Sequence, residues 1–197
     1  TVLPNFSLFT RCDFVTDGGL PANGEYPNTH VVMTSVRGIS FKGCTWRNTL
    51  FGQEPLELPS QQGTGISSTN SSFIVSDDCG VLVQGVPCPS QYLTTSAFTN
   101  LHRGILATTF DPSRTFSVDK ATFTGTNYGI RMEGIQDASI TRCTFDVPEP
   151  FTTGIVGSTY GVYSDECTGY RIQENAFLTQ QPDGDVKKVG LIIKDSG

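Results

Sequence analysis

A four-residue pattern recurs along this chain and constrains its fold more than any other feature. In its clearest copy, two apolar residues two positions apart precede a small residue and then an aromatic one: Phe116, Val118, Ala121 and Phe123. The seven copies are Ser7-Phe9-Cys12-Phe14, Ile39-Phe41-Cys44-Trp46, Ile74-Ser76-Cys79-Val81, Gln91-Leu93-Ser96-Phe98, Phe116-Val118-Ala121-Phe123, Ala138-Ile140-Cys143-Phe145 and Tyr170-Ile172-Asn175-Phe177. Alternation of this kind is typical of β-strands, so one strand–turn–strand unit is reused.

The copies start at 7, 39, 74, 91, 116, 138 and 170, so they are unevenly spaced. A constant local pattern at variable intervals predicts a fixed scaffold that carries loops of different length. We place these insertions at residues 15–30, 47–64, 82–90, 146–160 and 178–188. The interval of 17 between the third and fourth copies is short for a full repeat, which leaves the third assignment open.

A second strand signature lies between the copies, where a glycine precedes an aliphatic residue. It is found at Gly65, Gly104, Gly129, Gly161 and Gly190. Glycine fits a sharp corner where the backbone takes a positive φ, so we expect such a corner at each position.

Repeats of about 20–35 residues that hold short strands and no helix indicate a β-solenoid. Stacked turns would place equivalent residues about 4.8 Å apart. We therefore expect an internal aromatic stack of Phe14, Trp46, Phe98, Phe123, Phe145 and Phe177. A neighbouring column would hold the small residues Cys12, Cys44, Ser96, Ala121 and Cys143.

The repeat resembles that of right-handed parallel β-helices of the pectin-lyase-like type. It is similar to the repeats of large secreted or outer-membrane-sorted surface proteins of Gram-negative bacteria. The resemblance implies an all-β solenoid and a secreted or cell-surface location, and the seven copies predict about seven turns in a single domain over residues 1–197. Because the sequence begins and ends in repeat-like residues with no capping element, we expect a piece of a longer protein. An antiparallel sandwich or jelly roll also has many short strands, but it gives no reason for one aromatic register to recur.

Composition narrows the classes of partner. The net charge is −6 and no basic stripe is present, so nucleic acid is not an expected partner. No apolar run reaches the roughly 18 residues of a membrane-spanning helix, so membrane insertion is not expected either. No cofactor is predicted. The remaining partners are polysaccharides or neighbouring protein subunits.

The six cysteines divide into two groups. Cys12, Cys44 and Cys143 lie at inward positions of the repeat, where a thiol acts as a small apolar residue. Cys79 and Cys88 flank a short loop, and a disulfide between them is plausible in a secreted protein. Cys167 has no obvious partner. No pair has CxxC spacing and the two histidines lie far apart in sequence, so no metal site is expected.

Chemical motifs are sparse. Hydrolases of the pectin-lyase-like fold use a set of aspartates, and the nearest match in this sequence is Asp77-Asp78. The Asn-x-Asp and Gly-His-Gly elements that accompany those aspartates in the hydrolases are missing here. We interpret the pair as a turn or strand-edge pair, with a catalytic role as the alternative. His102-Arg103 offers a base beside a cation, or a solvated corner.

One further column bears on function. Tyr128 and Tyr160 hold the same place in their repeats, and Arg103 holds it one copy earlier. If they point outward, they form a carbohydrate-binding platform; if inward, they are core. The prediction is a non-catalytic module, serving as stalk, adhesin or assembly segment. The alternatives are a polysaccharide lyase or glycoside hydrolase, or a carbohydrate-binding module.

Overall fold

A computed structural model describes residues 7–16, 29–49, 62–81, 88–147, 158–179 and 188–196. Its strands, numbered in chain order, are β1 (Ser7–Thr10), β2 (Asp13–Thr16), β3 (Thr29–Thr34), β4 (Ile39–Lys42), β5 (Thr45–Asn48), β6 (Thr64–Thr69), β7 (Phe73–Ser76), β8 (Asp78–Cys79), β9 (Leu93–Thr94), β10 (Ala97–Thr99), β11 (Arg103–Thr108), β12 (Phe116–Asp119), β13 (Thr122–Thr124), β14 (Tyr128–Glu133), β15 (Ser139–Thr141), β16 (Thr144–Val147), β17 (Thr159–Asp165), β18 (Arg171–Gln173), β19 (Ala176–Thr179) and β20 (Lys188–Lys194). A 3-10 turn covers Ser90–Tyr92.

Eighteen of these strands form three parallel sheets of six strands each. The first sheet has the order β1-β4-β7-β12-β15-β18, the second β2-β5-β10-β13-β16-β19, and the third β3-β6-β11-β14-β17-β20. Each turn of the chain adds one strand to every sheet, which is the arrangement of a parallel β-helix. Within the described residues, no helix is long and apolar enough to cross a membrane.

The predicted aromatic stack is confirmed. Successive ring centroids from Phe14 to Phe177 are 5.4, 4.4, 4.7, 4.7 and 5.0 Å apart, and every pair is face to face. The four middle rings are buried, whereas Phe14 and Phe177 at the ends of the column are half-buried. The repeat therefore continues one apolar core through all six turns.

The column of small residues is also internal. Cys44, Ser96, Ala121 and Cys143 are buried and Cys12 is half-buried. The one hydroxyl among them is satisfied, because Ser96 Oγ donates to the carbonyl of Ser76 (2.6 Å) and accepts from the amide of Cys44 (3.2 Å).

The prediction of about seven turns is not confirmed, since each sheet contains six strands in the described part of the chain. The third and fourth copies belong to one turn. Phe73 and Val75, not Ile74, are in register with the inward residues of β4, and Ile74 is 49% exposed. A one-residue shift reverses the faces of a strand, which explains the misassignment.

Of these two copies, Cys79, Val81, Gln91 and Leu93 lie in an insertion within the third turn, whereas Ser96 and Phe98 belong to the internal columns. Strands β8 and β9 pair antiparallel there, outside the three main sheets. The predicted Cys79–Cys88 disulfide is confirmed, with the two Cα atoms 5.9 Å apart.

The role expected for the corner glycines needs correction. Gly129 does not have a positive φ; instead, a Cβ built on it would lie 2.5 Å from the carbonyl oxygen of Gly161 and 2.6 Å from the ring of Phe145. Glycine is required because another backbone and the aromatic stack approach closely. Positive φ is found at other residues of the corners: at Gly63, Asn100 and Gly125 shortly before these glycines, and between the first and second sheets at Arg11, Gly43, Lys120, Arg142 and Glu174.

Candidate functional site

The outer face of the third sheet collects aromatic and basic side chains. Parallel pairing aligns Arg103, Tyr128 and Tyr160 in one row across β11, β14 and β17. A second row aligns Arg131 with Tyr163. We refer to these five residues as the tyrosine–arginine cluster. The sequence therefore placed the column correctly, and the structure brings its three members together.

Strand alternation explains why Arg131 faces outward, and ring contacts show that Tyr128 lies on the same side. In β14, Ile130 and Met132 are fully buried in the core, so the side chain of Arg131 between them points away from it. Tyr128 lies on the same side, because the guanidinium carbon of Arg131 is 5.6 Å from its ring centroid. Tyr128, Arg131 and Tyr160 are all half-buried, so part of each side chain reaches solvent.

The tyrosines form a small aromatic group of defined geometry. Tyr128 and Tyr160 stack with their centroids 5.1 Å apart, and Tyr163 packs edge to face on them at 6.0 and 5.5 Å. Because Tyr128 and Tyr160 share one pair of faces, a sugar ring cannot stack there. Contact with a ligand must use ring edges, the remaining faces and the hydroxyl groups. Burial raises the pKa of Tyr128, so its hydroxyl stays protonated at neutral pH.

Cations surround Tyr163. Arg131 lies over its ring at 5.3 Å and Lys194 at 5.8 Å. Arg131 also pairs with Glu133 (2.5 Å), and the Tyr163 hydroxyl donates to Asp165 (3.1 Å). Cation–π and charged contacts of this kind order long side chains that would otherwise be mobile. The cluster is therefore a preorganised surface.

A polar corner adjoins the cluster. His102 packs edge-on against Tyr128, with the centroids 5.6 Å apart. Its Nδ1 lies 3.2 Å from Nδ2 of Asn127, which also donates to Oε1 of Gln62 (3.2 Å). Burial, with further contributions from Arg103 and Arg131, lowers the pKa of His102 to about 4. The imidazole is therefore neutral at pH 7.

Two buried polar atoms at this corner lack a hydrogen-bond partner among the described residues. They are Nε of Arg103 and Oδ1 of Asn127. An unsatisfied buried donor or acceptor costs free energy, and such groups are found where a water or a ligand completes the network. Both atoms lie in residues that directly precede or begin a strand of the third sheet.

Asp77 and Asp78 lie elsewhere, in the connection between the first and second sheets. Asp77 pairs with Lys120 (2.9 Å) from the fourth turn, and Asp78 pairs with Arg11 (2.8 Å) from the first turn. The two carboxylates thus join the insertion to turns on either side of it. This arrangement fits a structural clamp, and the pair is not in the tyrosine–arginine cluster.

A separate groove of about 450 Å³ lies on the first sheet. Its wall includes Ile39, Phe73 and Phe116, with serine side chains between them. Asp137 is the one ionisable group in the described lining, so acid–base chemistry with a second group is not provided there. Nowhere in the described part of the chain do three or more His, Cys, Asp or Glu residues gather as a metal site requires.

The sequence matches no family model, and comparison with curated proteins and with solved structures also finds no match. Function is therefore inferred from geometry.

Sequence reasoning missed several members of this surface. Arg131 and Tyr163 each follow an apolar residue of the strand, and alternation from Ile130 and Val162 would have placed them outward. Gln62 and Asn127 carried no such signal, because Asn127 contacts Gln62 and His102 through connections from three different turns.

Proposed function

We propose that this chain is a non-catalytic, right-handed β-helix module of the pectin-lyase-like type, belonging to a secreted or cell-surface bacterial protein. In this proposal it acts as a stalk, adhesin or assembly segment and binds polysaccharide through the tyrosine–arginine cluster. The Cys79–Cys88 disulfide supports a location outside the cytosol, because disulfides persist in oxidising compartments.

The observation that carries the binding proposal is the alignment of donors and aromatic edges along one sheet face. Arg103, Tyr128 and Tyr160 follow one another on consecutive turns, about 4.8 Å apart in the direction of the helix axis. An extended glycan can follow such a row over several turns. Guanidinium and phenol groups hydrogen-bond sugar hydroxyls, and the ring edges contact the apolar side of a sugar ring.

Glycan-array screening of the purified chain, followed by calorimetry on any ligand found, tests this proposal. Tyr128→Ser combined with Tyr160→Ser should abolish binding by removing the aromatic row. The matched control is Tyr92→Ser, which removes an exposed tyrosine from the 3-10 turn of the insertion. Circular dichroism should show that both variants keep the β-sheet spectrum. Binding that survives the double substitution, or no binding to any glycan, would refute the proposal.

A second candidate is a polysaccharide lyase or glycoside hydrolase, and one observation favours it. Neutral His102 lies beside Tyr128, and Arg103 and Arg131 are close enough to affect its pKa. A base, a hydroxyl acid and cations are the groups needed for proton abstraction next to a carboxylate.

The assay is incubation with pectate, alginate and glycosaminoglycans, with and without calcium, while unsaturated and reducing ends are measured. We expect no turnover. Turnover lost in His102→Gln would establish the enzyme alternative at the cluster. Turnover lost instead in Asp77→Ala or Asp78→Ala would show that the aspartate pair, and not the cluster, is catalytic.

A further inference from the structure

Two cysteines of the small-residue column occupy equivalent positions in the first and second turns. Strands β2 and β5 pair with Asp13 opposite Thr45, and Cys12 and Cys44 are the residues directly before them. The amide of Thr45 donates to the carbonyl of Cys12 (2.9 Å), which continues the pairing up to these cysteines. Neighbouring strands lie about 4.8 Å apart, within the Cα separation of about 4.4–6.8 Å that a disulfide spans.

The side chain of Cys44 also reaches toward the first turn. Cys44 Sγ lies 3.4 Å from the carbonyl oxygen of Phe9, so this side chain leans from the second turn toward the first. Cys12 and Cys44 thus hold adjacent positions of one column, which the backbone pairing of the first two turns fixes.

This proximity distinguishes the pair from the other cysteines, all six of which are described. Cys79 and Cys88 are already bridged. Cys143 belongs to the same column, but Ala121 and Asn175 hold the equivalent positions in the adjacent turns. The amide of Cys167 donates to Ser196 Oγ (3.0 Å), at a different corner of the helix.

We propose that Cys12 and Cys44 form a redox site that closes to a disulfide between the first and second turns when a small-molecule disulfide such as oxidised glutathione is supplied. The Cys12 thiolate attacks one sulfur of the oxidant, forms a mixed disulfide and releases one small thiol. The Cys44 thiolate then attacks Cys12 Sγ and expels the second small thiol. Two protein thiols are oxidised, one disulfide is reduced to two thiols, and the two protons pass to the released thiolates.

The order of these steps follows from exposure. Cys12 is half-buried and can meet the oxidant, whereas Cys44 is fully buried and reacts only inside the protein. Burial raises the pKa of the Cys44 thiol, which makes the second step the slower one.

Closure would reinforce a poorly buried end turn of the helix. All four residues of β1 are exposed, whereas the aromatic and small core residues of the second turn are buried. Local opening starts where few apolar contacts hold a segment. Linking Cys12 to Cys44 ties that first turn to the core, so its opening would depend on the redox state.

The test uses the full chain, with the Cys79–Cys88 disulfide intact, incubated with oxidised glutathione. Free thiols are counted in denaturant, and peptides are then mapped by mass spectrometry without reduction. We expect the count to fall from four to two and a Cys12–Cys44 linked peptide to form. Hydrogen exchange of the β1 and β2 amides should slow after oxidation.

Two variants complete the design. Cys44→Ala should fold, because Ala121 fills the equivalent place two turns further on, and it should retain glutathione on Cys12 instead of forming the cross-link. Cys143→Ala should form the cross-link as the wild type does. A count that stays at four, or a glutathione adduct that persists on Cys12 while Cys44 is present, would overturn the proposal.

Discussion

Replacing Phe123 with alanine tests the aromatic stack at its centre. The ring is buried and lies 4.7 Å from Phe98 on one face and 4.7 Å from Phe145 on the other. It also packs against Gly104, where a Cβ would come within 2.7 Å of the ring. Because strands above and below fix all three neighbours, the cavity left by the ring cannot readily collapse.

The magnitude follows from these contacts. Removing a buried Phe side chain costs about 3–5 kcal/mol, with the larger values where the cavity stays open. Two stacked ring contacts, at about 0.5–1.5 kcal/mol each, are lost together. We therefore expect Phe123→Ala to lower the free energy of unfolding by about 4 kcal/mol.

Phe177→Ala is the matched control, because it removes the same side chain from the end of the column. Phe177 is half-buried and stacks on Phe145 alone among the described residues. Its loss should cost about 2 kcal/mol. Urea unfolding followed by tryptophan fluorescence measures both, since Trp46 lies in the same stack. A loss under about 1 kcal/mol for Phe123→Ala, or equal losses for the two variants, would refute a continuous internal stack.

Three further predictions concern other parts of the fold. Gly129→Ala should destabilise the protein by about 2 kcal/mol or more, since its Cβ would meet backbone and a packed ring. Gly80→Ala should cost less in the same urea assay, because its close contact is with the guanidinium end of the long Arg11 side chain, and the carbonyl oxygen of Tyr92 lies at ordinary contact distance. Cys143 should resist alkylation in the native state and react after denaturation, because it is buried; equal rates in both states would place it at the surface. The free energy of unfolding should fall as the pH is lowered from about 6.5 to about 4, because the unfolded state protonates His102 before the native state does. The His102→Gln variant should lose about 2–3 kcal/mol less stability than the wild type over this pH range. A variant with the same pH profile as the wild type would contradict a buried neutral imidazole.

The internal columns could be predicted from sequence because a solenoid repeats its inward positions on every turn. Phe98, Phe123 and Phe145 recur with a small residue two positions earlier, and that relation survives any change in loop length. The third turn was predicted as two separate turns because an insertion divides its strands. The predicted register of its first strand was wrong by one residue. Ile74 was placed inward, although Phe73 and Val75 fill the core.

The outer surface was less predictable because the repeat imposes no residue type on outward positions. Alignment alone could bring Arg103, Tyr128 and Tyr160 into one row. Alignment could not show that the rings of Tyr128 and Tyr160 stack face to face, because stacking depends on side-chain rotamers. Nor could it place Asn127 between Gln62 and His102, because those residues lie in connections and not in strands.

The lengths of the connections explain why the site lies where it does. Between the second and third sheets the chain uses residues 17–28 and 49–63 in the first two turns, and 148–158 and 180–187 in the last two. In the third and fourth turns it uses only residues 100–102 and 125–127. Equivalent corners of stacked turns form one row, so this row has long connections at both ends and two short ones in the middle. Arg103 and Tyr128 begin their strands directly after those two short corners, and His102 and Asn127 are the last residues of the corners themselves. Short corners leave little chain to cover these side chains, while their neighbours in the row are free to vary in length. The exposure of this cluster thus depends on which corners are short as well as on which residues face outward.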